Sequence, residues 1–420
     1  MNQTTGHSSL SSLDEWLFYL ESIHATEIDM GLARISVVAK RLNISLNTST
    51  VITVGGTNGK GTTCAFLENA LISDGHSVAV YSSPHIEKFN ERLRINHQLI
   101  DDQSLIDAFV RIEESRAEIS LSYYEYTTLA ALLIAEYRQP DFVILEVGLG
   151  GRLDATNLID SDIAVITSID IDHQVFLGNT REAIGFEKAG IFRSGRPAII
   201  GDLQVPDSVT EYCQQIQCVP IVRKQHFDIL SEGLDRSWGW QCPGFVLSNL
   251  PPTFIPRDNV ATALMVLKQL NVELTTKKVS RWILTTKLEG RTEVVKQQPM
   301  VVLDVAHNPH AARYLSKYVS ANAKGDVFAV AAMLADKDIQ GTLTAMFDCV
   351  DHWYVASLNN SRGAKKEKLS EILKDANIIC NSFDNVVDGY RIALENANNN
   401  DMIIIFGSFF TVAEFKSLLF

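Results

Sequence analysis

The stretch ITVGGTNGKGTT, residues 52–63, decides how this chain is read. A β-branched run, Val51 to Val54, leads straight into glycines, and a helix-forming segment opens at Thr62. Strand, glycine-rich bend and helix together make a phosphate cradle. Backbone N–H groups converge, the helix N-terminus adds partial positive charge, and Lys60 adds a full one. The spelling departs from G-x-x-x-x-G-K-[ST]: Gly55 stands one residue too near Gly59, and Gly61 separates Lys60 from Thr62. An ordinary glycine-rich turn is the competing reading, and the flanking strand and helix favour phosphate.

Outward from this loop, the apolar runs are continuous rather than alternating, which marks strands covered on both faces and therefore a parallel sheet between helices. Strands are expected at 51–54, 77–81, 142–147, 164–167 and 197–200, with helices at 62–73 and 126–137. The Trp- and Pro-rich stretch from Phe227 to Pro256 reads as a small β-rich appendage, followed by helices at 259–270 and 276–285. The alternation restarts with strands at 301–304, 327–331, 352–355 and 402–406. The expected fold is α/β, with a P-loop-type, doubly wound parallel-sheet domain over residues 1–287 carrying the appendage. An interdomain link at 288–298 and a smaller Rossmann-like α/β domain over 299–420 complete it.

Bulk composition narrows the function. A formal charge of −13 argues against a sequence-independent grip on nucleic acid or an anionic membrane, so any anionic ligand must be held by local positive groups. The six cysteines form no C-x-x-C pair, which suggests neither a zinc site nor a disulfide framework and fits a reducing cytoplasm. The first dozen residues read as a frayed tail. The patch WLFYL after them is flanked by Asp14, Glu15 and Glu21, unlike a signal peptide. Apolar runs such as FVILEVG are far shorter than the ~20 residues that cross a bilayer.

In open α/β sheets, ligands bind beyond the carboxyl ends of the strands. There the chain places Ser83, then Glu146, then Asp170, Asp172 and His173. A carboxylate at the end of a buried strand is costly unless a cation meets it. A hydroxyl, a carboxylate and an imidazole beside a nucleotide suit Mg²⁺; His173 taken singly reads more readily as a structural histidine, and Glu146 with the phosphate loop reverses that reading. GLGGRL, 148–153, resembles a dinucleotide fingerprint, but Leu153 occupies its final glycine position. In the second half, Asp304 and His307 stand beside a helix opened by Asn308 as N-cap and Pro309, and FGS ends the strand at 402–406. A regulatory nucleotide switch would need a guanine-reading N-K-x-D, which is absent.

Taken in order, GTNGKGT, SSPHIEKFNERLRI, ILEVGLGGRLDATN, DHQVFLGNTREAIGFEKAGIFR, Gly290-Arg291, DVAHNPHAA and FGSFFTVAE resemble the bacterial folylpolyglutamate synthase/dihydrofolate synthase group of the Mur ligase family. The resemblance spans nearly the whole chain. It implies an ATP-dependent ligase joining L-glutamate to dihydropteroate and to reduced folates through an acyl phosphate. A synthase acting on folates alone, or another amino-acid ligase of the family, is the alternative. The resemblance implies ATP contacts from Thr57, Asn58, Gly59, Lys60, Gly61, Thr62, Asn259, Arg291 and Asp304. It implies magnesium ligands Ser83, Glu146, His173 and a carbamate on Lys188, with two Mg²⁺ ions and a monovalent cation as cofactors. The pteroate pocket would draw on Asp29, Met30, Gly31, Leu32, Ser122, Tyr123, Tyr124, Glu125, Leu153, Asp154 and Ala155. Glutamate would meet His307 and Ser408, with Lys60, Lys188 and His307 serving catalysis. Departures fall at Ala33, Ile171 and Phe410. A cytoplasmic monomer, with no nucleic-acid or membrane partner, is expected.

Overall fold

The computed structural model describes residues 10–26, 28–230 and 237–418. The frayed tail expected at the start therefore falls largely outside the described residues, as do residues 231–236 of the β-rich appendage. The chain divides into two compact units: Met1–Pro84 with Asn90–Thr286, and His85–Phe89 with Lys287–Phe420.

The first unit is built on strands β1 (Thr50–Gly55), β2 (Val78–Tyr81), β3 (Leu93–Ile95), β4 (Gln98–Leu99), β5 (Phe142–Glu146), β6 (Ile163–Ile166), β7 (Pro197–Ile200) and β8 (Val219–Val222). They form one sheet in the order β4-β3-β2-β5-β1-β6-β7-β8. Pairing is parallel from β2 to β8, and β3 and β4 close one edge as antiparallel strands. The continuous apolar runs are explained residue by residue. In β6, Ile163 and Val165 join the core under the helices Lys60–Ser73 and Arg257–Gln269, while Ala164 and Ile166 join the opposite core with Ile184 and Val209. A strand covered on both sides has no face left for polar residues.

The helix after the phosphate loop starts at Lys60, two residues earlier than its apolar pattern suggests, and the helix expected at 126 starts at Tyr123. Polar first turns hide helix starts because their N–H groups need no apolar partner. Three antiparallel strands, β9 (Asp228–Leu230), β10 (Trp238–Cys242) and β11 (Phe245–Leu250), make the β-rich segment. It is no satellite: Trp238 and Trp240 are buried in the main core, and the Trp240 indole donates to the Ala261 carbonyl at 3.1 Å.

The second unit holds β12 (Glu293–Gln297), β13 (Met300–Asp304), β14 (Val327–Ala331), β15 (His352–Ala356), β16 (Cys380–Phe383) and β17 (Met402–Phe406), in the order β12-β13-β17-β14-β15-β16. All pairs are parallel except β12 with β13. The expected link at 288–298 is corrected here. Residues 293–297 are an edge strand, with Val294 and Val295 packed against opposite cores of this unit. Its charged and amide residues look like a linker because an edge strand leaves much of itself in water. The excursion of His85–Phe89 into this unit was not legible either. Ile86 packs into the core of the second unit, and a side chain on Gly290 would come within 3.0 Å of it. Among the described residues, all six cysteines are free and no helix is long and apolar enough to cross a membrane.

Candidate active site

Register brings the candidate residues of the first unit to one edge of its sheet. Tyr81 lies level with Leu145, Val54 with Glu146, and Gly55 with Ile166. The segments leaving β2, β5, β1 and β6 therefore start side by side: Ser83, Glu146, the phosphate loop and residues 167–173.

The loop is tightly built. Gly59 has φ 90°, a left-handed conformation costly for a residue with a side chain, and a Cβ there would lie 2.4 Å from Asn259 Oδ1. Asn259 in turn donates to Thr62 Oγ1 at 2.6 Å. Gly56, at φ 146°, has no room for a Cβ beside Thr167 Oγ1. The Lys60 ammonium folds back onto the carbonyls of Gly56 and Thr57, at 3.1 and 3.4 Å. The N–H groups of Thr57 and Asn58 are taken by Ser168, through its carbonyl at 2.7 Å and its hydroxyl at 3.1 Å. Thr57–Thr62 and Asn259 are thus brought together, with Gly59–Thr62 at the helix end.

Two of the residues expected to hold metal are deeply buried. Glu146 is buried, and Lys188, on the helix Arg181–Ala189, is only 4% exposed. Burial, and then the charge of Lys60, push the Lys188 amine down to about 7, against the opposing pull of Asp172 and Asp154. An amine that loses its proton near neutrality can carry a carbamate. His173 has φ 50° at the head of the short helix Gln174–Leu177. Ser83 hydrogen-bonds with Tyr124. Among the described residues, no three His, Cys, Asp or Glu side chains gather closely enough to hold a metal by themselves. The set on hand, one hydroxyl, one buried carboxylate, one imidazole and one lysine poised for carbamylation, fits a hard divalent ion that completes its shell with phosphate oxygens and water.

The residues matched to pteroate divide into two groups. Tyr124 donates to Asp154 Oδ1 at 3.3 Å, and buried Asp154 also accepts from Leu149 N, Thr156 N and Thr156 Oγ1. A side chain on Gly148 would strike the Tyr124 ring at 2.6 Å; one on Gly150 would meet Leu177 at 2.9 Å and Met30 at 3.3 Å. Met30, Tyr124, Asp154 and the glycine run therefore share one neighbourhood, with Ala155 following in a short helical turn. Gly31 has φ 154°, and Leu32 precedes the helix Ala33–Leu42. Tyr123 lies under the Arg92 guanidinium, 5.5 Å away. Ser122 and Glu125, by contrast, are consumed as a reciprocal capping box opening the helix Tyr123–Arg138. Glu125 is further tied to Arg34 at 3.1 Å, and Arg34 to Asp29 at 2.7 Å. Ser122 and Glu125 thus frame the neighbourhood matched to pteroate. Sequence reading missed Arg34, whose partner Glu125 lies 91 residues away with no local signal.

A second buried ion pair stands beside the site. Arg94 donates to Glu68 Oε2 through Nε at 3.1 Å and Nη2 at 2.8 Å, and to Ser82 Oγ at 3.1 Å, while His97 Nδ1 lies 3.4 Å from Glu68 Oε1. It fastens the helix of the phosphate loop to the segment carrying Ser83. Replacing Arg94 with leucine would leave a buried carboxylate without its guanidinium and should destabilise the fold by about 3–5 kcal/mol. Urea unfolding would show this, with the double variant Glu68→Leu/Arg94→Leu recovering much of the loss.

In the second unit, Asp304 ends β13 and accepts from the Thr292 and Ala306 N–H groups, both at 2.8 Å. Burial raises its pKa, and the nearby Arg291 charge opposes the rise. His307 Nδ1 lies 2.9 Å from the Val305 carbonyl, which can only accept, so Nδ1 carries the hydrogen and Nε2 is the basic nitrogen. Arg291 stacks over Phe409 at 5.3 Å, and the His307 ring centroid is 6.4 Å from the same ring. Arg291 and His307 are thus gathered around a phenylalanine that sequence reading passed over. Ser408, expected to meet glutamate, is 2% exposed, and its hydroxyl accepts from Thr411 N at 3.0 Å, capping the helix Phe409–Lys416.

A phosphate loop on a parallel sheet, joined in sequence to a second, Rossmann-like unit, defines a Mur-type ATP-dependent ligase. Residues 54–221 match the Mur ligase middle domain, and residues 290–409 match the Mur ligase glutamate ligase domain. The chain is 43% identical to the dihydrofolate synthase/folylpolyglutamate synthase of Escherichia coli strain K12 over 410 residues, 97% of this chain and 96% of that one. Among solved structures it is similar to E. coli FolC in complex with DHPP and ADP, with a TM-score of 0.93, 44% identity, and coverage of 97% and 98%. It is also similar to a bifunctional folylpolyglutamate synthase/dihydrofolate synthase with Mn, AMPPNP and L-glutamate bound, with a TM-score of 0.91, 43% identity, and the same coverage. The chain belongs to the dihydrofolate synthase/folylpolyglutamate synthase family.

Proposed function

We propose that this ATP-dependent ligase adds L-glutamate both to dihydropteroate and to the γ-carboxyl of reduced folates, through an acyl phosphate. A carboxylate is a poor electrophile, so it must first receive a phosphoryl group before an amine can displace it. The observation that supports the reading is the presence, in one unit, of the loop holding Lys60, buried Glu146 and Lys188, and the Tyr124–Asp154 neighbourhood matched to pteroate.

On this reading Lys60 leaves the loop carbonyls to meet the phosphates, and the first-turn amides of Gly59–Thr62 hold them. Asn259 keeps Thr62 aligned. Ser83, Glu146, His173 and a carbamate on Lys188 would hold divalent metal, two Mg²⁺ ions in the full site, which neutralises phosphate charge. A monovalent cation is part of the same reading. Arg291 and Asp304 are read as nucleotide contacts. His307, held as the Nδ1–H tautomer by Val305, presents Nε2 as the base for the glutamate amine. The protein is read as a cytoplasmic monomer, which sedimentation and cell fractionation would check.

The deciding experiment measures glutamate-dependent phosphate release from ATP, with dihydropteroate and a reduced folate offered separately. Release with both supports the bifunctional reading. Release with the folate alone reduces it to a polyglutamate synthase, and release with neither overturns it.

A further inference from the structure

The phosphate loop is held from outside by a segment to which no role has been given. We infer that Thr167 and Ser168, at the exit of β6, are positioning residues that set the register of the phosphate loop against the segment carrying His173. The inference rests on the reading that this loop binds ATP.

The contacts are dense and reciprocal. Ser168 Oγ accepts from Asn58 N at 3.1 Å and donates to the Asn58 carbonyl at 3.0 Å, so one hydroxyl satisfies both backbone groups of one residue. The Ser168 carbonyl accepts from Thr57 N at 2.7 Å. Thr167 Oγ1 lies 2.7 Å from the Asn58 carbonyl and 3.2 Å from the Gly55 carbonyl. It also fills the space that a side chain on Gly56 would need. Thr57 closes the clasp, donating from Oγ1 to the Asp170 carbonyl at 3.1 Å while accepting from Asp170 N at 3.0 Å. Asp170 is three residues from His173. The far side of the segment is fixed as well, since Ile169 N donates to buried Asp202 at 2.7 Å, and Asp202 pairs with Arg181 at 3.0 Å.

These bonds explain the division of labour in the loop. Thr57 and Asn58 spend their amides on Ser168, just beyond β6, which leaves the helix-end amides of Gly59–Thr62 to the ligand. A phosphate site needs its donors fixed before the anion arrives, because ordering them at binding costs affinity. It follows that Thr167 and Ser168 act on nucleotide affinity while touching no nucleotide.

The test is isothermal titration with Mg-ADP of wild type, Ser168→Ala, Ser168→Thr, Thr167→Val and Thr167→Ser, together with the Tm of each and the KM for ATP. Removing the Ser168 hydroxyl deletes two hydrogen bonds, and about tenfold weaker binding is expected, with the same rise in KM for ATP. Thr167→Val should behave alike. The hydroxyl-keeping variants Ser168→Thr and Thr167→Ser should bind within about threefold of wild type. A role confined to fold stability would lower Tm and leave affinity below Tm unchanged, which overturns the inference, as do Ser168→Ala and Thr167→Val binding as tightly as wild type. Wild type failing to bind ADP would instead overturn the reading of the loop itself.

Discussion

Lys60→Ala should reduce glutamate-dependent phosphate release on the order of 10³-fold or more while leaving the protein folded. The side chain is half-exposed and its ammonium bonds to the carbonyls of Gly56 and Thr57, so its removal opens no cavity and orphans no buried charge. What disappears is the one full positive charge on the loop, at the point where phosphoryl transfer spreads negative charge over several oxygens. Preorganised charge of this kind is worth most where water is excluded. A second consequence checks the electrostatics. The Lys60 charge is one of the influences holding the Lys188 amine down, so Lys188 should titrate at higher pH in the variant. Phosphate release, Tm and a lysine-selective label read against pH would test all three statements. Full activity in Lys60→Ala would remove the loop from the mechanism.

The other large effect belongs to Lys188, and it runs in opposite directions for activity and stability. The amine titrates near 10.5 in an unfolded chain and at about 7 in the fold, because burial penalises its charged form. Between these values the unfolded chain binds the extra proton, so stability rises as pH climbs from about 7 to 10.5. Below about 7 the fold bears the whole cost of a buried ammonium. Lys188→Met removes that cost. The variant should therefore be more stable than wild type at pH 6, by a few kcal/mol in order of magnitude, with the gap closing as pH approaches 10. Thermal scans of ligand-free protein in carbonate-free buffer would show it. Ligation should fall by about 10²-fold or more, and a short carboxylate such as acetate should restore part of it in Lys188→Ala if a carbamate is the working form. Parallel pH–stability curves for wild type and Lys188→Met would refute the buried-amine account. An active Lys188→Met would refute the carbamate.

Both predictions depend on residues whose place in the chain was readable and whose state was not. Lys60 announces itself by its glycines. Lys188 sits in a helix where a lysine is ordinarily solvated, and only the resemblance singled it out. Ser122 and Glu125 show the converse. Their spacing is that of a capping box, yet the apolar pattern places the helix start at 126, and the pocket role comes from the resemblance alone. Ser408 likewise opens a helix as its N-cap, a role that its place after a strand does not announce. Polar residues at strand ends and helix starts serve folding and binding with the same atoms, and sequence alone does not apportion them.

The alternation of strands and helices, the phosphate loop between β1 and its helix, and the restart in a second α/β unit were written in the sequence itself. Burial on two faces requires long apolar runs, and tight backbone turns require glycine; both are local signals. Tertiary structure alone decided which distant groups meet: Ser168 with Asn58 across 110 positions, Arg94 with Glu68, Arg34 with Glu125, and His85–Phe89 with the second unit. A charge or hydroxyl is tolerated in the interior only when its partner arrives there too, and that arrival is a property of the fold rather than of neighbouring residues.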